Sequence, residues 1–494
     1  MTCTTVIAFE KAKGSWSFSF AILATASYLK YKQVSVIAMI GVIAVSCGLL
    51  SISVKANAAG EERLQTPYET LRQLEDLFDR GEWATLDQIG SQHVRAYEKD
   101  PKQFAALRSF FYVLPNEEYA EILGKYNAWV KHFPNSYVAH YSRARYYAYQ
   151  AMSVRGEEFT YKVSGEQLKK MKELFAASEA DLLRSLTLSS RPTMSYFQLI
   201  RISRYYGTSK KARSYYEKSA DIDPDVLLLA DEYLYTAQPR WGGSFKELHG
   251  FPDLAMKRGL SADKVAHLRA HARYLAGEDY LLYGDKTRAE KMFTEVVNDS
   301  VNNEYIAPAM VELGRLADAR QDFETSLRYY SQALRLKPND VSLLVSLAEA
   351  RRDTNHTQEA LAFYDRAIAL APDDRRALTG RGWLQHKILG NNDAAYPNVL
   401  KAAKLGDPYA QNILGYLYWE GKGTRRNQPE ALYWWTLSDK QKNETASQNL
   451  DMAKLKLGSH FNDMLSAAQR SNASREKQKP KQPPKLGVKP GTGL

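Results

Sequence analysis

The residues best placed for chemistry are two histidines four positions apart, His267 and His271 in the segment KVAHLRAHARYL. On a helix this spacing puts both imidazoles on one face, where they could supply two ligands to a metal ion. No glutamate follows His267, however, as it does in the zinc-protease motif. We therefore expect two exposed histidines, no metal site and no cofactor.

Two glycine-containing segments could bind an anion through backbone N–H groups. EGKGT at 420–424 is the nearest match to a phosphate loop, but its distance from Gly415 is wrong, and Gly423 stands where Ser or Thr would bind magnesium. PRWGGS at 239–244 permits a tight turn that could hold an anion. We favour a structural turn in which Trp241 packs. With no G-x-S-x-G elbow either, the sequence indicates a protein that is not an enzyme.

The elements that carry these residues are helical. Proline and glycine fall mainly where helices would end, and no long window alternates apolar and polar residues. Hydrophobic residues, including all 32 tyrosines, make up 44% of the 494, enough for a continuous core. The predicted fold class is all-α.

A period of 34 residues runs from about 307 to 402. In each repeat, the first helix has a small residue at one fixed position. The second helix has small and aromatic residues at fixed positions, and in the first two repeats a proline follows it. These residues are Gly314, Ala348 and Gly382; Ser326, Ala360 and Ala394; Tyr330 and Tyr364; Ala333 and Ala367; Pro338 and Pro372. A unit that cannot bury its own core must stack on its neighbours, so the period predicts a stacked array.

This pattern resembles the tetratricopeptide repeat over 307–374 and, less closely, to 402, where Asn398 replaces the expected aromatic residue. Two more units follow the phase, one through Gly277, Ala289 and Phe293, the other through Ala212, Tyr216 and Pro224. We therefore place tetratricopeptide repeats at 260–402. The resemblance implies a right-handed superhelical solenoid whose first helices line a groove that binds other proteins.

The flanking regions resemble two related families. Residues 402–438 resemble the Sel-like repeat through Gly406, Gly415, the Gly421/Gly423 loop and Trp434-Trp435, with a closing helix expected near 446–469, giving a region 402–469. Residues 64–250 resemble a bacterial domain family of unknown function. The matching features are Trp129, Pro134, Arg155-Gly156, the helical stretch 165–188 and the segment 240–244. That second resemblance implies a helical region and no particular activity.

Family geometry also implies which residues face the groove: Val311, Arg315, Asp318, Val345, Glu349, Arg352, Thr379, Trp383 and Lys387. Six of them are charged or aromatic and form the predicted partner-binding site: Arg315, Asp318, Glu349, Arg352, Trp383 and Lys387. Trp and Arg are frequent binding hot spots. The partner is expected to be another protein or a peptide segment.

The net charge of +11 is concentrated at the two ends of the chain. Residues 1–58 carry +4 and residues 470–494 carry +6, which leaves a nearly neutral body. A nucleic-acid groove would need a basic face, so no nucleic-acid partner is expected. The tail 470–494 is proline-rich and basic, and we expect it to be disordered. Its alternative role is weak contact with an anionic lipid or polymer.

The N-terminal region, residues 1–58, predicts export. Residues 34–54 are uncharged and long enough to cross a bilayer, and four lysines precede them, so the body should leave the cytoplasm. Ala56-Asn57-Ala58 offers a cleavage site. Either a signal peptide is removed there or the segment remains as a membrane anchor.

Two other readings of this region are a lipoprotein box at Val45-Ser46-Cys47 and a hairpin with the apolar stretch 16–29. The only cysteines, Cys3 and Cys47, precede the proposed cleavage site, which is compatible with an oxidising compartment.

Together these features predict a non-enzymatic interaction scaffold of the bacterial cell envelope, either periplasmic or anchored to the inner membrane. The alternative is an envelope carbohydrate-binding protein or enzyme that uses region 64–250. The sequence does not indicate an oligomeric state.

Overall fold

The computed structural model describes residues 11–12, 15–16, 67–115, 120–156, 163–299 and 304–477. The predicted apolar span 34–54, the cleavage site and the cysteines lie outside these residues. Within the described part of the chain, no helix combines the length and the apolar character needed to cross a membrane.

The chain divides into two compact units, residues 1–194 and 195–494. In the first, two-residue strands β1 (Lys11–Ala12) and β2 (Ser15–Trp16) pair antiparallel. A short 3₁₀ turn covers Pro101–Gln103. The α-helices of this unit are α1 Pro67–Arg80, α2 Trp83–Lys99, α3 Phe104–Val113, α4 Ala120–His132, α5 Tyr137–Arg155 and α6 Gly165–Leu186.

The second unit begins inside helix α7 and consists of further helices. They are α7 Thr193–Tyr206, α8 Ser209–Ile222, α9 Leu227–Ala237, α10 Phe245–Lys257, α11 Ala262–Leu282, α12 Lys286–Val297, α13 Ile306–Asp318, α14 Phe323–Leu336, α15 Val341–Asp353, α16 Thr357–Leu370, α17 Arg375–Trp383, α18 Asn392–Lys404, α19 Pro408–Glu420, α20 Gln428–Lys440, α21 Glu444–Leu457 and α22 His460–Lys477. A 3₁₀ turn at Pro239–Trp241 and a π-helix at Leu384–Ile388 complete the described elements. The described residues are thus almost entirely helical, as the sequence predicts.

The first unit is fixed by a buried ionic network between α5 and α6. Asp181, which is 5% exposed, accepts hydrogen bonds from His140 Nδ1 at 2.9 Å and from Arg143 Nε at 2.7 Å. Burial of Asp181 opposes its ionisation, but the bonds from Arg143 and His140 outweigh burial and hold its pKa below the usual value. The network therefore pins these two long helices at one register.

The second unit is built from consecutive helix pairs joined by short turns. Most helices of the repeats start with an Asp or Asn whose side chain accepts the N–H three residues on, which satisfies a donor that the helix leaves unpaired. In the repeats these caps are Asp322, Asp340, Asp374, Asn391, Asp407, Asn427 and Asn443. Short capped helices with short turns favour antiparallel neighbours.

Glycines allow the two helices of a pair to approach closely. A Cβ added at Gly314 would lie 2.5 Å from the Tyr330 ring, and one at Gly415 would lie 2.5 Å from Trp435. Real Cβ contacts are never that short, so the large ring on the second helix occupies the space of the missing side chain. The predicted role of the small position in the first helix is confirmed at Gly314, and Gly415 allows the same close approach.

The register predicted for the third repeat is wrong by one residue. The fully buried small position of α18 is Ala395 rather than Ala394, and the core residue facing Gly382 is Val399 rather than Asn398. The spacing is therefore 35 residues after Ala360 and Tyr364. The π-helix at Leu384–Ile388 accounts for the difference, because its wider turn absorbs one extra residue before α18 begins.

Side chains on second helices also tie adjacent repeats together. Arg366 Nη2 donates to the carbonyl oxygen of Pro338 at 2.7 Å, and Lys401 Nζ donates to that of Pro372 at 2.6 Å. The two contacts are equivalent, since both residues and both prolines follow the repeat phase. Each second helix thus satisfies a carbonyl at the end of the preceding repeat.

Two expectations for the C-terminal region need correction. The closing segment is not one helix near 446–469 but two, α21 and α22, separated at Gly458, whose φ of 54° ends α21. Residues 470–477 of the predicted disordered tail continue α22. Residues 478–494 lie outside the described residues.

Candidate functional site

The first helices α9, α11, α13, α15 and α17 present a row of charged and aromatic side chains, which we call the first-helix face. Two predicted site residues meet there. The Arg352 guanidinium carbon of α15 lies 5.3 Å from the ring centroid of Trp383 of α17. Trp383 is half-buried and packs on the cores of two adjacent repeats. Neighbouring first helices thus bring these two predicted residues together.

Three other predicted residues pair with neighbours. Glu349 accepts from Arg376 Nη2 at 2.8 Å, and Arg315, which is exposed, donates to Glu312 at 2.6 Å. Asp318 accepts a 2.7 Å hydrogen bond from the Tyr330 hydroxyl. A carboxylate held by a core tyrosine supports the helix pair, so Asp318 has a structural role in addition to any contact with a partner.

The remaining predicted positions differ in exposure. Val345 is buried in the core of its repeat, so the expectation that it faces the groove is wrong. Val311 is half-buried against the next core, and Thr379 is half-buried. Lys387 is exposed and lies in the π-helix. A strict period of 34 from Arg352 leads to His386, which bonds Asn392 at 2.6 Å and packs beside Tyr416.

Sequence reasoning missed a larger polar portion of the first-helix face, formed by α9, α11 and α13. Its centre is a stripe on α11, His267, His271, Tyr274 and Glu278. Their spacing of i, i+4, i+7 and i+11 places them on one side of the helix. That spacing is visible in the sequence and could have indicated a polar stripe on one helix side, but the two histidines are interpreted from the sequence only as possible metal ligands.

An aspartate of α9 holds both histidines. Asp231 accepts from His271 Nδ1 at 2.9 Å and lies 3.6 Å from His267 Nε2. The Asp231 carboxylate, 3.6 Å away, raises the pKa of His267 against the opposing effect of burial. Burial opposes ionisation of Asp231, yet the hydrogen bond from His271 and the nearby His267 hold its pKa below the usual value. His271 is 1% exposed, which corrects the expectation that both histidines are exposed.

Tyrosine rings cover this His–Asp group. Tyr305 stacks on His271 with centroids 4.4 Å apart and lies 5.7 Å from Tyr274. Tyr235 of α9 meets His271 edge-on at 5.0 Å. Burial and nearby carboxylates raise the pKa values of Tyr274 and Tyr305, so both hydroxyls stay protonated at neutral pH and can act as hydrogen-bond donors.

The histidine pair and the turn at 239–244 do not have the geometry that ligand binding would need. No group of three or more His, Cys, Asp or Glu side chains in the described residues is arranged to hold a metal ion. At the 239–244 turn, the N–H groups of Gly242, Gly243 and Ser244 are bonded to carbonyls of residues 237–239. Arg240 pairs with Asp279 and lies 3.6 Å from Glu278. The turn is therefore structural, and Trp241 packs edge-on against Tyr205 at 5.2 Å.

The first unit contains a cleft of about 390 Å³ between α2 and the turn before α5. Its central carboxylate, Asp87, accepts from Trp129 Nε1 at 3.1 Å and from the hydroxyl of Ser136. Ser136 in turn caps α5 by accepting from the Ala139 N–H. Asp87 thus supports the start of α5.

Comparison with known families agrees with the helical pairs. Residues 70–212 match the model of a domain of unknown function, DUF4034. Residues 307–340 and 343–378 each match a tetratricopeptide-repeat model. No curated protein sequence matches the chain.

Several solved structures are similar to parts of the chain. A protective antigen of uropathogenic Escherichia coli with an SLR fold is 15% identical with a TM-score of 0.36, covering 85% of this chain and 99% of that one. The Sel1 repeat protein from Oxalobacter formigenes is 16% identical with a TM-score of 0.37, covering 69% and 94%. YrrB, described as a TPR protein with an unusual peptide-binding site, is 18% identical with a TM-score of 0.30, covering 40% and 96%. Likeness at this level carries no argument about function.

Proposed function

We propose that this chain, which carries tetratricopeptide repeats at 307–340 and 343–378, is a non-enzymatic scaffold that holds a protein partner on its first-helix face. The observation that supports this most is the Arg352–Trp383 pair. Both side chains are partly accessible, come from adjacent first helices and pack against each other. Arg and Trp at the centre of a rigid surface are the residues that most often dominate binding energy.

The rigidity of the repeats supports the same conclusion. Trp383 is fixed by the two cores on which it packs, and Arg352 also donates to Asp353 at 2.7 Å. Side chains that are already ordered lose little conformational entropy when a partner binds. Glu349 with Arg376 and the exposed Arg315 and Lys387 would form the polar rim of the same site.

A site-specific photo-cross-linking experiment tests this proposal. A photoreactive residue at Arg315 or Lys387 should capture a partner of discrete mass in cells, whereas one at Arg328 or Lys440 on second helices should not. Arg352→Glu should abolish capture and, with the purified partner, reduce binding by about 2 kcal/mol or more. Arg328→Glu is the matched control. Equal capture from both helix faces, or a partner unaffected by Arg352→Glu, would place the binding surface elsewhere.

We further propose that the scaffold works in the cell envelope. Support comes from the uncharged segment 34–54, the lysines before it and the Ala-x-Ala site after it. The intact mass of the purified protein distinguishes the two forms of this proposal. A chain that starts at Ala59 is a processed periplasmic protein, and a chain that retains residues 34–54 is anchored.

The alternative, a carbohydrate-binding role or enzymatic activity of region 64–250, has less support. Tyr112, 42% exposed, is an aromatic side chain on which a sugar could stack, but the guanidinium groups of Arg108 and Arg145 already lie 5.4 and 5.1 Å from its ring. Co-sedimentation of the protein with envelope polysaccharide would favour this alternative over the scaffold.

A further inference from the structure

The portion of the first-helix face on α9, α11 and α13 is strongly acidic, and we call it the acidic face. Six carboxylates lie on or next to these helices, on Asp231, Glu232, Glu278, Asp279, Glu304 and Glu312. Three guanidinium groups approach them, Arg204 from α7, Arg240 from the turn at 239–241 and Arg315 from α13. The excess of carboxylates contrasts with the nearly neutral composition of the body as a whole. A face of one sign favours an occupant of the other.

The guanidinium groups do not satisfy this excess. Arg204 is paired with the buried Glu232, and Arg315 donates to Glu312 at 2.6 Å, so each guanidinium group has one closely paired carboxylate and three of the six carboxylates remain. Arg240 contacts the buried Asp279 and remains 3.6 Å from Glu278. Burial raises the pKa of Glu278, and the nearby Glu312 raises it further against the effect of Arg240. A cation that reached this face would relieve that repulsion.

Unsatisfied polar atoms point to the same place. Asp279 is 0% exposed, and its Oδ2 has no hydrogen-bond partner among the described residues. His271 is 1% exposed, and its Nε2 likewise lacks a partner there. Buried polar groups are nearly always hydrogen-bonded, and Arg204 Nε and Arg240 Nη2 beside this face also lack hydrogen-bond partners among the described residues, so its polar groups are incompletely satisfied.

Tyrosine rings give the acidic face an apolar strip. Tyr235, Tyr274 and Tyr305 are all partly exposed, and the last two lie 5.7 Å apart in a stacked arrangement. Partly exposed tyrosines next to carboxylates favour two kinds of group together: cations, which are drawn to ring faces, and proline rings, which pack on them.

The chain itself contains a segment with both kinds of group. Residues 478–494, QKPKQPPKLGVKPGTGL, carry four lysines and four prolines and no acidic residue. In an extended polyproline conformation the stretch from Lys479 to Lys489 would span about 31 Å at about 3.1 Å per residue. Three neighbouring first helices at 8–10 Å spacing cover on the order of 20 Å, so the lengths are compatible.

We propose that residues 478–494 bind across the acidic face, with their lysines at Glu278, Glu304 and Glu312 and their prolines on Tyr274 and Tyr305. The segment comes from a neighbouring copy, because residue 478 directly follows α22, which packs on α20 and α21 and not on α9, α11 or α13. It occupies part of the first-helix face and limits access of a basic partner to it. This binding does not require the Arg352–Trp383 site.

A labelled peptide of residues 478–494 tests the proposal on the full-length protein. The receptor is a chain in which Lys479, Lys481, Lys485 and Lys489 are all changed to Gln, so that its own segment no longer competes. We expect fluorescence anisotropy to show binding that weakens with added salt. Glu278→Gln with Glu312→Gln in this receptor should weaken binding about tenfold or more. The matched control is Glu324→Gln with Asp451→Asn, two exposed carboxylates away from the acidic face.

The unaltered chain should bind the labelled peptide more weakly than the lysine-substituted receptor, because the segments of neighbouring copies occupy the face. A peptide with all four lysines changed to Gln should not bind. Absence of binding, or equal binding to the Glu278/Glu312 variant and its control, would overturn the proposal. Binding of an unrelated lysine-rich peptide in place of 478–494 would also overturn it and assign the face to another basic partner.

Discussion

Gly243 shows how closely a single residue in the second unit can be constrained. A Cβ at this position would lie 2.1 Å from the carbonyl oxygen of Ala237 and 2.8 Å from its Cα, and backbone cannot yield as a side-chain end can. We expect Gly243→Ala to lower the free energy of unfolding by about 2–4 kcal/mol. Gly250 lies in α10 with open space around it, so Gly250→Ala should raise the free energy by up to about 1 kcal/mol. Denaturant titrations of the two variants measure both, and a similar effect from both would contradict the close contact.

The His267–Asp231 pair predicts a pH-dependent contribution to stability. Because the Asp231 carboxylate raises the pKa of folded His267, the stabilising effect of the pair is complete below the unfolded pKa and is lost as the pH rises through the folded pKa. His267→Gln should therefore destabilise the protein more at pH 5.5 than at pH 8.5 in thermal unfolding.

His93, which is half-buried beside the Phe110 ring, provides the opposite case as a control for that measurement. Burial lowers its pKa, so protonation opposes folding, and His93→Gln should stabilise the protein more at pH 5.5 than at pH 8.5. If both variants shift stability in the same direction, the His267–Asp231 contact does not carry the effect.

Individual residues also show where sequence reasoning succeeds. The repeat phase correctly places Arg352 and Trp383 on adjacent first helices, because the start of the first helix recurs after 34 residues, at Asp340 and Asp374. It assigns Val345 wrongly, because the boundary between core and face depends on how far each helix is rotated. It misses Asp231, whose role depends on two histidines about 40 positions away that only the folded stack brings near.

Among the helices, the π-helix at Leu384–Ile388 explains the change of register in the third repeat. It follows Trp383 directly and shifts α18 by one residue relative to the two preceding second helices. No residue type marks the insertion, since Ala394 and Ala395 are the same amino acid. The existence of the helix pair is therefore predictable, while its register depends on a backbone feature that the sequence pattern does not reveal.

The extra residue gives a prediction for that element. Deletion of Lys387, which is exposed, should allow the π-helix to close into α-helical turns and restore a spacing of 34, at a cost of less than about 1 kcal/mol. Deletion of Ala350 in α15, which has no extra residue, should rotate the following side chains by about 100° and cost several kcal/mol. Equal destabilisation in denaturant titrations would mean that the π-helix is required by its surroundings.

At the scale of the whole molecule, the second unit distributes charge unevenly along its first-helix face. Carboxylates dominate on α9, α11 and α13. On α15, α17 and the π-helix, basic residues such as Arg352, Arg376 and Lys387 outnumber Glu349 and Asp353. Long-range charge guides the approach and orientation of a partner more than it adds affinity. A partner segment with one basic and one acidic end would thus bind in one direction, with its basic end at α9, α11 and α13 and its acidic end at α15 and α17.

The last prediction concerns where the whole molecule resides. Bacterial alkaline phosphatase needs disulfides and is active only after export, so its fusion after Thr66 should be active if residues 34–54 direct the chain outward. Removal of residues 34–54 should abolish that activity. Introduction of two arginines into the same segment should do so too, since each charge there costs several kcal/mol of insertion free energy. A fluorescent protein that folds in the cytoplasm, fused at the same position, should show the reverse pattern. An inactive phosphatase together with a bright fluorescent fusion would place the scaffold in the cytoplasm, and the first-helix face would then have to be tested against cytoplasmic partners.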